Sequence, residues 1–293
     1  MTLGFVGGAD FLWREAAALV AERVADVTRT FSSVALAGTG AGAMLEALPE
    51  GIGLPERELG LTDPSPAMLR AAHARAPGAR VLAWQGETLP FEAGRADLAI
   101  SAGILHAVND PVGHLVQMNH ALAPDGLMIA VFAGGQTLSE LRVALAEAEA
   151  EVSGGLSPRV APMGEIRELG ALLQRAGFAM PVADTERFTL SYESPLHLMR
   201  ELRAMGETSI LAGRRRGLAA KALMARAAEI YAHHFPAPDQ PGRVRATVDL
   251  VFLTGWSPGP GQPKPLRPGS AKARLADALG TAERSAGEKA GRG

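Results

Sequence analysis

Cysteine is absent from the 293-residue chain. That excludes disulfides, cysteine-ligated zinc, iron–sulfur ligation and a cysteine nucleophile. Lysine is scarce: Lys221, Lys264, Lys272 and Lys289 are the whole set, a usage we read as coding bias. No uninterrupted apolar run reaches the roughly 18 residues that a membrane-spanning helix needs. The first residues have neither the basic segment nor the long apolar stretch of a signal peptide, so a cytoplasmic location is expected. The formal net charge is −2, which leaves no global basic field to hold nucleic acid. What the chain does have is apolar surface. Hydrophobic residues make up 47% and charged residues 20%, enough for one large domain or two modest ones.

The apolar spacing predicts the elements. Leu12, Ala16, Leu19, Val20, Val24 and Val27 recur at helical intervals, which predicts a helix over 9–30. Val34-Ala-Leu-Ala37 reads as a strand that runs into Gly38-Thr-Gly-Ala-Gly42, with a helical stretch from Ala43 to Leu48. Further strands are expected at 58–62, 80–84, 97–101 and 127–132. Helices are expected to open at Ser65-Pro66 and at Asp110-Pro111, where a capping side chain precedes a proline at the first helical position. Later helices are expected at 137–151, 166–176, 195–205 and 215–234, and strands at 187–191 and 245–254. Strands without clean alternation, interleaved with helices, indicate a parallel sheet covered on both faces. No internal repeat is visible. From Ser257 the composition turns to proline, glycine and basic residues, as in a partly disordered tail.

Four places could carry chemistry. Gly38, Gly40 and Gly42 at a strand-to-helix turn let a ligand approach the backbone and expose amides; a tight turn without a ligand has the same sequence. Asp63, just past the second strand, can accept both hydroxyls of a ribose, or it can cap the next helix. Gln85 and Glu87 follow the third strand, where a polar side chain could read an adenine, or simply line a loop. Ser101 and His106 follow the fourth; His106 could face a reaction chamber or be a satisfied structural residue. Arg214-Arg-Arg216 reads as a solvated segment, and His233-His234 lack nearby ligands at metal spacing, so no metal site is expected. Neither a nucleophile elbow nor a phosphate-binding loop is present.

The order of these motifs is informative. The glycine turn, Asp63-Pro-Ser-Pro-Ala-Met-Leu69, Glu87-Thr-Leu-Pro-Phe91, Asp97-Leu-Ala-Ile-Ser101 and Leu122-Ala-Pro-Asp-Gly-Leu127 resemble class I S-adenosylmethionine-dependent methyltransferases. Within them the chain is most similar to the complex I assembly factor 5 family, which is related to the malonyl-carrier-protein methyltransferase of biotin synthesis. That closer likeness rests on Asp10-Phe-Leu-Trp-Arg-Glu15, Leu105-His-Ala-Val-Asn-Asp110, Gly134-Gly-Gln-Thr-Leu-Ser-Glu-Leu-Arg142, Ser157-Pro-Arg-Val160, Leu202-Arg-Ala-Met-Gly-Glu-Thr208 and Lys264-Pro-Leu-Arg-Pro-Gly-Ser-Ala-Lys272.

The resemblance implies a doubly wound, Rossmann-like α/β fold with a seven-stranded, mostly parallel sheet. It implies an N-terminal helix within 1–30, a methyltransferase-like domain over 31–256, a helical cap at about 192–240 before the last strand, and a tail over 257–293. It implies S-adenosylmethionine as cofactor, held by Gly38, Gly40, Gly42, Asp63, Gln85, Glu87 and Ser101, with His106 as the candidate for catalysis. A protein substrate or partner, such as a complex I subunit, is implied too, and the family is linked to arginine hydroxylation. The chain departs from the family pattern at several positions. Leu36 stands where an acidic residue usually supports the methionine end of the cofactor, a change that weakens binding. Gln85 replaces the usual Asp, Ala107 a frequent tryptophan and Gln136 a usual Glu, and residues 1–9 lack the arginine-rich stretch usual there. A cofactor-free relative acting as an assembly factor is therefore the alternative expectation.

Overall fold

The computed structural model describes residues 10–50, 58–215, 217 and 220–262. Most of the tail expected over 257–293, including the motif from Lys264 to Lys272, lies outside the described residues. The described part of it is tied to the sheet: the Ser257 amide donates to Gly126 O at 2.8 Å.

Helix α1 (Phe11–Ala25) buries Leu12, Ala16, Val20 and Val24 of the expected stripe and adds Trp13 and Ala17, while Leu19 and Val27 are only partly buried. Strand β1 (Ser33–Ala37) follows, then a 3-10 segment (Gly40–Ala47). Next come β2 (Glu58–Thr62), α2 (Pro66–Arg75), β3 (Arg80–Val81), β4 (Ala96–Ala102), α3 (Pro111–Ala121) and β5 (Leu122–Gly134). The remainder is α4 (Ser139–Ser153), α5 (Ile166–Arg175), β6 (Ala179–Tyr192), α6 (Pro195–Met205), α7 (Lys221–His234) and β7 (Val244–Trp256). The seven strands form one sheet in the order β3-β2-β1-β4-β5-β7-β6, with β7 antiparallel to both of its neighbours. This is the α/β fold with a mostly parallel sheet that the sequence implied.

Parallel strands buried on both faces need apolar residues at every position. In β1, Val34 and Leu36 join the cluster under α1 and α2, while Ala35 and Ala37 join the cluster under α3 and α5. A third cluster forms where α4, α6 and α7 pack together beside β7. Helices α6 and α7 lie between β6 and β7 in sequence, where the helical cap was expected.

Several boundaries differ from the sequence expectation, among them β5, which begins at Leu122 rather than 127, and α7, which begins at Lys221 rather than 215. The first helix ends at Ala25, short of residue 30. The helix expected from Ala43 is instead the 3-10 segment, because Ala41 (φ 54°) and Gly42 (φ 96°) are left-handed and break the α-helical hydrogen-bond progression. Strand β3 stops at Val81, where its ladder to β2 ends. Strand β6 starts eight residues earlier than residue 187. It is the other edge of the sheet, and its polar Asp184, Thr185 and Glu186 hide a strand that is specified by its ladder to β7.

Candidate functional site

Where neighbouring strands of an open α/β sheet send their helices to opposite faces, their carboxyl ends part to leave a crevice. Here that point lies between β1 and β4, whose register sets Leu36 beside Ile100 and Ala37 beside Ser101. Two turns border the crevice, one at Gly38-Thr-Gly40 and one at Gly103. Gly38 has φ +79°, and a Cβ there would overlap the Ala102 carbonyl oxygen. Its amide donates to Thr62 O at 2.9 Å. Glycine is thus required so that the ends of β1, β2 and β4 can meet. Gly40 faces Trp13 of α1, and Gly42 faces Ala72 and Arg75 of α2.

Asp63 ties the glycine turn after β1 to the turn after β2. Its Oδ2 accepts from the Thr39 amide at 2.8 Å and from Thr39 Oγ1 at 3.0 Å, and its Oδ1 accepts from the Ser65 amide at 2.8 Å. The helix cap is Ser65, whose Oγ accepts from the Met68 amide. Asp63 is 8% exposed. Burial pushes its carboxyl above the ordinary range, against the lowering effect of the Thr39 and Ser65 hydrogen bonds. An ionised carboxylate offers about four acceptor positions, so three donors leave capacity for a ligand hydroxyl.

The other expected residues separate into two groups. Gln85 and Glu87 are exposed beyond β3, and Glu87 Oε1 accepts from the Asn109 amide at 2.9 Å and from Asn109 Nδ2. Ser101 faces away from α1. It is 1% exposed, and its hydroxyl lies 2.8 Å from His114 Nε2 on α3. Burial lowers His114 to about 4, and its ring stacks on Trp84 at 6.0 Å. Ser101 is therefore engaged in a neutral, buried pair beneath the strand.

His106 follows β4 and reaches the capping segment: its Nε2 is 3.3 Å from Glu207 Oε2, just past α6. Its Nδ1 is buried and has no protein partner. Two participants were not named from sequence as functional. Glu207 is one; only the fold brings it to His106. Trp13 is the other; it stands inside the Asp10–Glu15 motif, which carried the family likeness but was given no role at the site. Leu36 is fully buried in the same apolar cluster as Trp13 and Ala102. A separate small cleft of about 50 Å³, lined by Ser33, Glu58, Arg80 and Arg95 among others, opens at the amino ends of the strands, the opposite end of the sheet.

The donor and acceptor set fits an adenosyl amino acid cofactor in part. A carboxylate with spare acceptor capacity stands at the end of β2, two glycine turns flank the crevice, and the Trp13 indole nitrogen is a buried donor without a protein partner. No group of metal-binding residues occurs among the described residues, and no helix there is long and apolar enough to cross a membrane.

Comparison with known proteins bears on the fold and the family. Residues 36–130 match the methyltransferase domain family. The solved structure of the YcgJ protein from Bacillus subtilis shares the fold, with a TM-score of 0.54 and 14% identity over 83% of this chain and 98% of that one. The malonyl-[acyl-carrier protein] O-methyltransferase of Laribacter hongkongensis is 33% identical over 235 residues, 75% of this chain and 73% of that protein. The mitochondrial arginine-hydroxylase NDUFAF5 of Danio rerio is 37% identical over 268 residues, 92% of this chain and 82% of its own length. On that identity and coverage, carried on a methyltransferase-type sheet, the chain belongs to the NDUFAF5 family.

Proposed function

We propose that the chain is an S-adenosylmethionine-dependent transferase that modifies a protein side chain or small acid during maturation of respiratory complex I. The observation that carries this reading is the junction at the switch point, where the Asp63 carboxylate is hydrogen-bonded to the glycine turn of the adjoining strand. In this reading Gly38, Gly40 and Gly42 shape the turn, Asp63 accepts from a ribose hydroxyl, and Gln85 and Glu87 flank the adenine. Ser101 is left out, because its hydroxyl already pairs with His114. The cofactor supplies a methyl group activated on a sulfonium. The chain's own task is then to orient an acceptor and exclude water, which needs no obligatory catalytic side chain. His106, with Glu207 behind it, can take a proton from the acceptor, and helices α6 and α7 serve to enclose the substrate.

A second reading has its own support. Leu36 is fully buried, so the usual acidic support for the methionine end has no counterpart there, and a cofactor-poor assembly factor would have no use for one. The chemistry is a separate question, since the relatives that share most of this chain are named arginine hydroxylases. A complex I subunit is the partner in either reading. A cytoplasmic location belongs to the proposal as well; the NDUFAF5 relatives are named mitochondrial.

The deciding experiment is calorimetric titration of the purified chain with S-adenosylmethionine and S-adenosylhomocysteine, after a check for co-purified cofactor. Micromolar binding is expected. Absence of heat at millimolar cofactor would refute the transferase reading and favour the assembly factor. Mass spectrometry of complex I subunits incubated with the chain then separates the chemistries, since a methyl transfer adds a methylene and a hydroxylation adds an oxygen.

A further inference from the structure

The indole of Trp13 is held between two glycines. A Cβ at Gly40 would stand 3.4 Å from Trp13 Cβ and Cγ, and one at Gly103 would overlap the far edge of the ring at Cη2. The ring therefore lies between the turns that follow β1 and β4. Trp13 is 9% exposed, and its Nε1 has no hydrogen-bond partner among the described residues. An indole N–H donates and cannot accept. Buried donors are nearly always satisfied, and an exception beside a ligand crevice is accounted for by an acceptor that arrives with the ligand.

We propose that Trp13 Nε1 donates a hydrogen bond to the carboxylate at the amino-acid end of the cofactor. This rests on the cofactor reading above and adds the residue that grips that end. The strand order fixes which end it is. Asp63 stands beyond β2, and Gln85 follows β3, on the far side of β2 from β1. A ligand with its ribose at Asp63 and its adenine toward Gln85 has its amino-acid end at β1 and β4. The span from β3 to β4 is three strand spacings, about 14 Å, which suits an elongated adenosyl amino acid. Leu36 and Ala102 share the apolar cluster of Trp13 and offer no anion to the ammonium group. The Trp13 indole N–H is a polar donor on this apolar wall, and the ligand carboxylate supplies its acceptor.

The test compares the full chain with Trp13→Phe by calorimetry, using three probes. S-adenosylmethionine and S-adenosylhomocysteine carry the amino-acid end; 5′-methylthioadenosine lacks it. Phenylalanine keeps an aromatic ring between the glycines and removes the N–H. The two complete probes should bind about ten- to hundredfold more weakly, and 5′-methylthioadenosine should bind both proteins equally. Unchanged S-adenosylhomocysteine affinity would overturn the proposal and leave the cofactor reading standing. An equal loss for all three probes would also overturn it, assigning Trp13 to packing alone. Failure of the unaltered chain to bind any probe would defeat the cofactor reading itself, and the proposal with it. A direct readout accompanies the titration. Of the three tryptophan indole N–H signals, the one missing from the Trp13→Phe spectrum should move downfield on adding S-adenosylhomocysteine; a stationary signal overturns the proposal.

Discussion

The substitution Asp63→Asn separates two jobs that one carboxylate performs. In the structure it accepts from the Thr39 amide, the Thr39 hydroxyl and the Ser65 amide. Asparagine supplies one acceptor oxygen and one amide donor. If the oxygen serves Ser65, the NH₂ group confronts Thr39. The Thr39 hydroxyl can rotate to accept, but its backbone N–H cannot, so one buried donor loses its partner. Such a loss costs about 1–3 kcal/mol. For a chain of this size that lowers Tm by about 2–10 °C. A ligand ribose would also lose a charge-assisted bond, so S-adenosylhomocysteine affinity should fall about ten- to hundredfold. Burial raises the Asp63 carboxyl, so its ionisation is opposed in the folded chain. Its contribution to stability is therefore fully present below the ordinary carboxyl value and is lost as pH rises through the raised one. The stability advantage of the unaltered chain over Asp63→Asn should accordingly narrow as pH rises from about 4. Thermal melts across pH and calorimetric titration check these outcomes independently. An unchanged Tm would refute the tie between the turns. A lowered Tm with unchanged affinity would keep the tie and sink the ribose assignment.

Three further outcomes follow from buried positions. Leu36→Asp, which would restore the usual acidic residue, sets a carboxylate at a site with no exposure; the expected result is a loss above about 3 kcal/mol by chemical denaturation with no gain in cofactor affinity, and tighter binding by a folded variant would contradict the apolar crevice. Glu149→Gln removes a carboxylate that accepts from Ser157 and Arg159 at 2.8–3.2 Å and should cost about 2 kcal/mol. Arg159 holds that group down to about 2, so its contribution is present above the ordinary glutamate value and fades as pH falls toward 2; acid melts of the variant and the unaltered chain should therefore converge there. Gly103→Ala forces a Cβ against the Trp13 ring at φ +65° and should destabilise by about 1–3 kcal/mol, and a variant as stable as the parent would show that the indole does not lie there.

What the sequence reveals depends on whether a signal is local. Three helices begin at cap–proline pairs, and the structure satisfies each cap. Ser65 Oγ accepts from the Met68 amide, Asp110 Oδ1 from Gly113 and Ser194 Oγ from His197. The first two of these starts are stated outright by Ser65-Pro66 and Asp110-Pro111. The central strands are legible because burial on both faces demands continuous apolar runs. The edge strands are not. Residues 179–186 of β6 carry Asp184 and Glu186, and Asp184 is paired with Arg23 of α1, a partner 161 positions away that no local pattern can reveal. The 3-10 segment was missed for a similar reason. Its composition suits an α-helix, and only the packing of Gly40 on Trp13 and of Gly42 on α2 accounts for the left-handed turn.

The candidate site divides along the same line, and Ser101 shows how far strand parity could have taken the reading. In β4, Leu98, Ile100 and Ala102 point to the cluster beneath α1, while Ala99 joins the opposite cluster. Ser101 alternates with the first set, so it must face α3, where it meets His114. Its proximity in sequence to the crevice was misleading, and its parity was not. The same rule assigns Leu36 to the α1 face alongside Trp13. A motif comparison marks Leu36 as a missing acid. Parity marks it as part of the apolar wall against which an indole N–H stands without a partner. Leu36, which departs from the family pattern, and the Trp13 donor without a partner among the described residues thus lie in one cluster, which is why the amino-acid end of the ligand, rather than its ribose or adenine, is where this chain should bind by contacts of its own.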